Sequence, residues 1–370
     1  MNKLKHIARR IGAAPLGLAL VVVLAAAGIL AFRAGMLPGP LARGHAGPRV
    51  AVQLSSTDLP GPVYDLTFDQ ARDSLWYAFM MSGEPAALYR YDIASGKTSH
   101  WSLPSTDDNG FLSRVVVAPD GSVWLTENYT VVRVDPVSGS VLTRKFALVD
   151  PDATATALSV SPGTWPSAIT FDSAGKALVA RHNVKSLVRL DSSLAEVNRV
   201  QLPASMVGPD DLVDSNGVIY AAPYLGAGPG VLFSEQGVLI GQTSQPVSRF
   251  AVSGGAVVAM GDAGLSRVGS NAVSTSWHAA GAGAPEDRFA VTTGGAALYL
   301  DSRGTIQWIS PAGGVEGGLS LAAVPIQVVN PLGKTVDAFE RHQVGAIATD
   351  GTGSVWYVDI TAYQLVHISL

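Results

Sequence analysis

From residue 50 to the C-terminus one short unit recurs. It is an apolar strand, a turn of the D/S-x-G kind, a second strand with a large residue at its centre, a third strand ending in a polar turn, and a less regular fourth. Such a period cannot build one central core, because each unit buries its apolar faces only against the next copy. The clearest copy is RVVVAPDGSVWLTENYTVVRVDPVSGSVLTRKFAL, residues 114–148. The second-strand centres are Trp76, Trp124, Leu178, Ile219, Val257, Leu298 and Trp356, spaced by 48, 54, 41, 38, 41 and 58 residues. No long segment after residue 50 has helical periodicity, and short β-rich runs alternate with turn signals. The expected fold is all-β, a seven-bladed β-propeller of four-stranded blades. Six blades plus an irregular insert is the alternative, since blades four and five depart most from the pattern. The last copy ends in QLVHISL without a fourth strand, and RVAVQLS at 49–55 is a spare strand at the other end. Pairing the two would close the ring and remove two edges.

The N-terminus is of another kind. Residues 1–10 carry Lys3, Lys5, Arg9 and Arg10, and residues 11–32 are an uncharged, mostly apolar run. Twenty-two helical residues rise about 33 Å, enough to cross a hydrocarbon core. The basic flank is expected to stay in the cytoplasm. The reading is an uncleaved single-pass anchor, a Gly/Pro linker at 33–48 and a propeller at 49–370. The propeller then lies outside the cytoplasm, in the periplasm or beyond a bacterial inner membrane. A signal peptide cleaved near Ala25–Ala27 is the alternative. Seven of the 25 basic residues precede Val50, which leaves 18 against 29 acids, a net charge of −11. That charge speaks against nucleic acid as a partner. The absence of cysteine excludes disulfides and thiolate chemistry.

The phrase APDGSVWLTENYTVVRVDP (118–136), echoed by TDGTGSVWYVD (349–359), resembles the streptogramin (virginiamycin B) lyase-like propellers and the broader NHL and SMP-30 group. The resemblance covers about 50–370 and implies a propeller. It also implies two chemistries: an elimination that opens a cyclic depsipeptide with a His base and Mg²⁺, or a lactonase with a metal held by Glu, Asn and Asp. The lactonase pattern is incomplete. Pro60 stands where its Glu belongs, WPSAITFD (165–172) lacks its Asn, and only Asp210 and Asp211 remain at the third place.

Binding sites on propellers gather where strand one begins and strand two ends, around the channel. Repeat register places Asp65, Arg114, Asp210, Arg249 and Arg288 at the first position, and Glu127, Arg181 and Asp301 at the second. Arg114–Glu127 and Arg288–Asp301 share a 13-residue spacing across one hairpin, which predicts two structural ion pairs. Arg249 and Arg181 lack such a partner in their own blade. Together with His182, His342, Asp65 and Asp210 they form the expected ligand-binding set, since arginine offers a planar fork of donors. The expected function is a membrane-anchored module, without cofactor, that binds a protein, peptide or glycan on this face. The alternatives are a lyase acting on a cyclic peptide or polyuronate, with His182 or His342 as base and Mg²⁺ as cofactor, and a metal lactonase.

Overall fold

The computed structural model describes residues 53–79, 86–104, 112–127, 129–153, 164–226, 228–253, 255–279, 285–301, 304–321, 323–329, 335–341, 344–350 and 353–369. The segment expected to span a membrane lies outside them. Among the described residues no helix is long and apolar enough to cross a membrane.

The described residues form seven four-stranded antiparallel sheets and one separate hairpin. Blade one runs Leu66–Asp69, Ser74–Phe79, Ala87–Asp92 and Lys97–Ser102. Blades two to six follow in the same up-and-down order, and the chain is a seven-bladed propeller. Blade seven takes Val344–Thr349, Val355–Asp359 and Gln364–Ser369 from the end of the chain and its outer strand, Gln53–Asp58, from the start. The pairing is antiparallel, Gln53 opposite Ser369 and Asp58 opposite Gln364. The expected strand at 49–55 thus overlaps the observed one at 53–55, and 49–52 lie outside the described residues. The separate hairpin, Ala323–Val329 with Thr335–Arg341, accounts for the 58-residue gap before Trp356.

The core is distributed. Seven apolar clusters sit one at each seam between neighbouring blades. The seam of blades one and two holds Trp76, Leu88, Val115 and Leu125, and that of seven and one holds Leu75, Tyr77, Trp356 and Leu365. Second strands face a seam on both sides, so SLWYAF and VWLTE are buried along their whole length. This is why they read as unbroken apolar runs rather than as alternation. The tryptophans are pinned at the turn that precedes them. Trp76 and Trp356 donate Nε1 to Asp69 (3.1 Å) and Asp350 (3.2 Å), and Trp124 donates to Ser122 Oγ (3.0 Å).

Candidate functional site

In blades two, three, six and seven the inner strand carries a β-bulge where it starts, between Leu112 and Arg114, Pro166 and Ala168, Pro285 and Phe289, and Val344 and Ala346. One extra residue there in blades two, three and seven, and two in blade six, re-aim the side chains at the channel mouth. They also correct the expected ion pairs. Arg114 stands opposite Thr126 instead of Glu127. Its guanidinium spans to blade four, donating Nη2 to the Asp210 carbonyl (3.0 Å) and to Asp211 Oδ1 (3.0 Å). Blade three presents only Ala168 at the equivalent place, which leaves the path open. Asp301 stands opposite Pro285, three residues before Arg288. Its carboxylate accepts the Thr305 N–H (2.9 Å) and the Gln307 amide (2.8 Å). Arg288 donates Nε to the Val344 carbonyl of blade seven (3.3 Å).

The channel carboxylates are Asp65 and Asp211, and they play the same part. Each accepts the first backbone N–H beyond the arginine of the following blade: Asp65 from Val115 (2.6 Å), Asp211 from Phe250 (2.7 Å). Arg114 and Arg249 are therefore equivalent by structure as well as by repeat. Asp211, not the expected Asp210, is the side chain in this network; Asp210 supplies its carbonyl. Burial pushes the Asp65 carboxyl above its usual range, against the opposing charges of Arg114 and Arg288.

Arg181, expected to bind a ligand, points into the protein. It is buried at 1% exposure. Its Nε donates to the Thr164 carbonyl (2.8 Å), Nη2 to Thr164 Oγ1 (2.7 Å) and the Ala147 carbonyl, and Nη1 to Asp150. The guanidinium lies over the Phe146 ring at 4.7 Å. Asp150 also takes Arg199 Nη1 (2.7 Å) and the Asp152 N–H (2.9 Å). Burial raises its carboxyl, but those donors and the Arg181 charge win and hold it below the usual range. The arginine ties the strand that enters blade three to the connection leaving blade two.

His182, the next residue, does belong to the face. Its N–H donates to the Trp165 carbonyl (2.8 Å). Its ring stacks on Trp165 with centroids 4.1 Å apart and planes at 7°, and Tyr224 of blade four meets it edge-on at 4.5 Å. The turn beyond it is left-handed at Asn183 (φ 58°). Gly208 closes over that turn so tightly that a Cβ there would lie 2.4 Å from the Asn183 nitrogen. His182 is 7% exposed and its buried Nδ1 has no hydrogen-bond partner among the described residues, whereas Tyr224 is 41% exposed. The turn holding Tyr224 ends at Gly226, which abuts Ser248 beside Arg249. The Trp165–His182–Tyr224 stack thus adjoins, through Gly226 and Ser248, the start of the inner strand of blade five at Arg249. Sequence reasoning missed Trp165, Tyr224 and Asp211 as site residues. His342 lies outside the described residues.

Burial depresses the His182 pKa below 6.5, and does the same to His367 against the opposing charge of Asp350. Each unfolded imidazole takes a proton near pH 6.5 while the folded one resists it. Stability contributed by the neutral rings is full above about pH 6.5 and is lost as pH falls below it. Melting temperature should therefore drop between pH 7 and 5, and His182→Phe should flatten the slope. An unchanged slope in that variant would show that the imidazole titrates alike folded and unfolded.

No family model and no curated protein sequence matches this chain. Solved structures do. A catalytically inactive virginiamycin B lyase from Staphylococcus aureus, solved with quinupristin, superposes with a TM-score of 0.62 at 12% identity, covering 86% of this chain and 99% of the other. The Pan2 WD40 domain of Neurospora crassa gives 0.58 at 14%, covering 83% and 89%. The C-terminal WD40 domain of Sif2 gives 0.53 at 9%, covering 85% and 97%. At such identities these likenesses define the fold, a virginiamycin B lyase-like seven-bladed propeller, and not the chemistry. Among the described residues no group of three or more His, Asp or Glu side chains could hold a metal ion.

Proposed function

We propose that this protein is a membrane-anchored, extracytoplasmic propeller that binds a peptide, protein or glycan on its channel face. The observation that carries the proposal is the Trp165–His182–Tyr224 stack. Two blades converge to build it, and at its centre is a buried imidazole nitrogen with no hydrogen-bond partner among the described residues. Leaving such an atom unpaired costs about 1–3 kcal/mol. A site that stacks ligand rings gives that arrangement a use. The test is a screen of glycan and peptide arrays with the intact chain, followed by titration of the binders. Tyr224→Ala and His182→Gln should each weaken binding by about tenfold or more, the effect of losing a central contact worth over 1 kcal/mol. Full affinity in both folded variants would remove the stack from the site.

The fold match and a neutral, sheltered imidazole favour one second reading, elimination on a cyclic peptide with His182 as base. Incubation with quinupristin separates the two: ring-opened product that vanishes in His182→Gln supports the enzyme, and unchanged quinupristin supports the binding module.

A further inference from the structure

Two histidines of the propeller hold their rings in opposite ways. His278, on the outer strand of blade five, sets Nδ1 3.2 Å from the Gly313 carbonyl and Nε2 3.2 Å from the Tyr299 hydroxyl. A carbonyl only accepts, so in the neutral ring Nδ1 carries the proton and Nε2 accepts the Tyr299 O–H. At His182 that acceptor is missing. Its Nδ1 is buried and has no hydrogen-bond partner among the described residues. Trp165 covers one face of the ring, and Tyr224 meets it edge-on. The main chain around it is held, the His182 N–H donating to the Trp165 carbonyl (2.8 Å) and the Gly208 N–H to the Val184 carbonyl (2.9 Å). A proton on Nδ1 would be a sealed donor with nothing to receive it. Buried donors of that kind are rarer in proteins than idle acceptors, and each costs its desolvation in full.

We infer that His182 is fixed as a hydrogen-bond donor, with its proton on Nε2, and that the ligand of the stack brings an oxygen acceptor to that N–H. The ligand's part rests on the binding reading of the stack; the tautomer is a property of the chain alone. The matching group is a carbonyl, ether or hydroxyl oxygen beside a ring that lies against the aromatic side chains. An ammonium group only donates, and Nε2–H gives it nothing to donate to. The same tautomer takes His182 out of the role of base. A histidine base receives the substrate's proton on a bare nitrogen, while a carboxylate or carbonyl holds the N–H of the other. At His182 the bare nitrogen is the sealed one. Burial lowers its pKa with no carboxylate charge acting against it, whereas at His367 the Asp350 charge opposes the same shift.

The chain has seven histidines, few enough to resolve one by one. Full-length protein carrying ¹⁵N-labelled histidine, in detergent at neutral pH, tests the tautomer by a long-range proton–nitrogen correlation spectrum, which separates a protonated ring nitrogen from a bare one. His182→Gln and His278→Gln assign the two patterns. His182 should be protonated on Nε2 and His278 on Nδ1. A His182 ring protonated on Nδ1, or exchanging between the two forms, overturns the inference and leaves the binding site standing. So does ring-opening of quinupristin that needs His182. Binders recovered from the glycan and peptide arrays should shift the His182 Nε2–H signal, and the arm that yields them says which kind of molecule carries the oxygen. A binder that Tyr224→Ala weakens but that leaves this signal unmoved overturns the donor role. An array without binders strikes the binding reading and the ligand's part with it, while the spectrum of the free chain still decides the tautomer.

Discussion

Deleting Gln53–Asp58 is expected to destabilise the entire ring by about 6 kcal/mol, far more than the exposed side chains of Ser55, Ser56 and Asp58 contribute. The estimate counts six paired positions, at about 1 kcal/mol net for each ladder hydrogen bond. Ser55, Ser56 and Asp58 are exposed, so these three lose little apolar burial directly. What is lost is the cover over Gln364–Ser369, whose Leu365 and Ile368 pack into the seams on either side of blade seven. The Leu59 N–H, which donates to the Tyr363 carbonyl at 2.7 Å, also loses its register. In a ring, opening one seam frees both neighbours. Denaturant unfolding of the deleted and intact chains measures the difference, and coincident midpoints would show that the ring does not depend on this strand. Paired proline variants cover the case in which the deletion does not fold. Successive N–H groups of a strand point to opposite sides, so one of Ser55→Pro and Ser56→Pro should be nearly silent and the other strongly destabilising.

That closure shows what a repeat makes legible. The number of blades, the strand order and the pairing of the two chain ends follow from periodicity, because each blade needs the same number of strands. Trp76, Trp124 and Trp356 mark second strands, since only a position buried on both sides selects a large apolar residue each time. What periodicity hides is one or two extra residues at a bulge. The bulges at Leu112–Arg114 and Pro285–Phe289 shift the inner strand against its partner, so an equal spacing of 13 residues does not put Arg114 beside Glu127 or Arg288 beside Asp301. Contacts that skip a blade are hidden too. Arg114 and Asp211 are 97 residues apart, and only the small Ala168 between them permits the reach. His182 was visible as a residue on the right face, but its stacking partners come from a connecting segment and a 3₁₀ turn, where the repeat has no register to read.

Arg181 is the case in which chemistry and position point in opposite directions, and its replacement carries the second large effect. An arginine at the end of a second strand suggests a ligand contact, yet here every donor group meets an acceptor inside the protein. Arg181→Met should cost about 3 kcal/mol, the lower end for removing one partner of a buried ion pair. The lower end applies because Arg199 stays on Asp150 at 2.7 Å and the Asp152 N–H at 2.9 Å. The Thr164 and Ala147 carbonyls lose their donor as well, and the segment that leads into Trp165 is held less firmly. Ligand affinity should therefore fall along with stability, through the displaced Trp165 and not through a lost contact. Asp150→Leu in the same chain separates the causes. With both charges gone nothing ionic remains buried unpaired, and replacing a buried pair by apolar side chains is often neutral. The double variant should recover at least half of the lost stability in denaturant unfolding. If it is as unstable as Arg181→Met alone, the cost lies in the carbonyls left without a donor, and the ion pair itself contributes little to the fold.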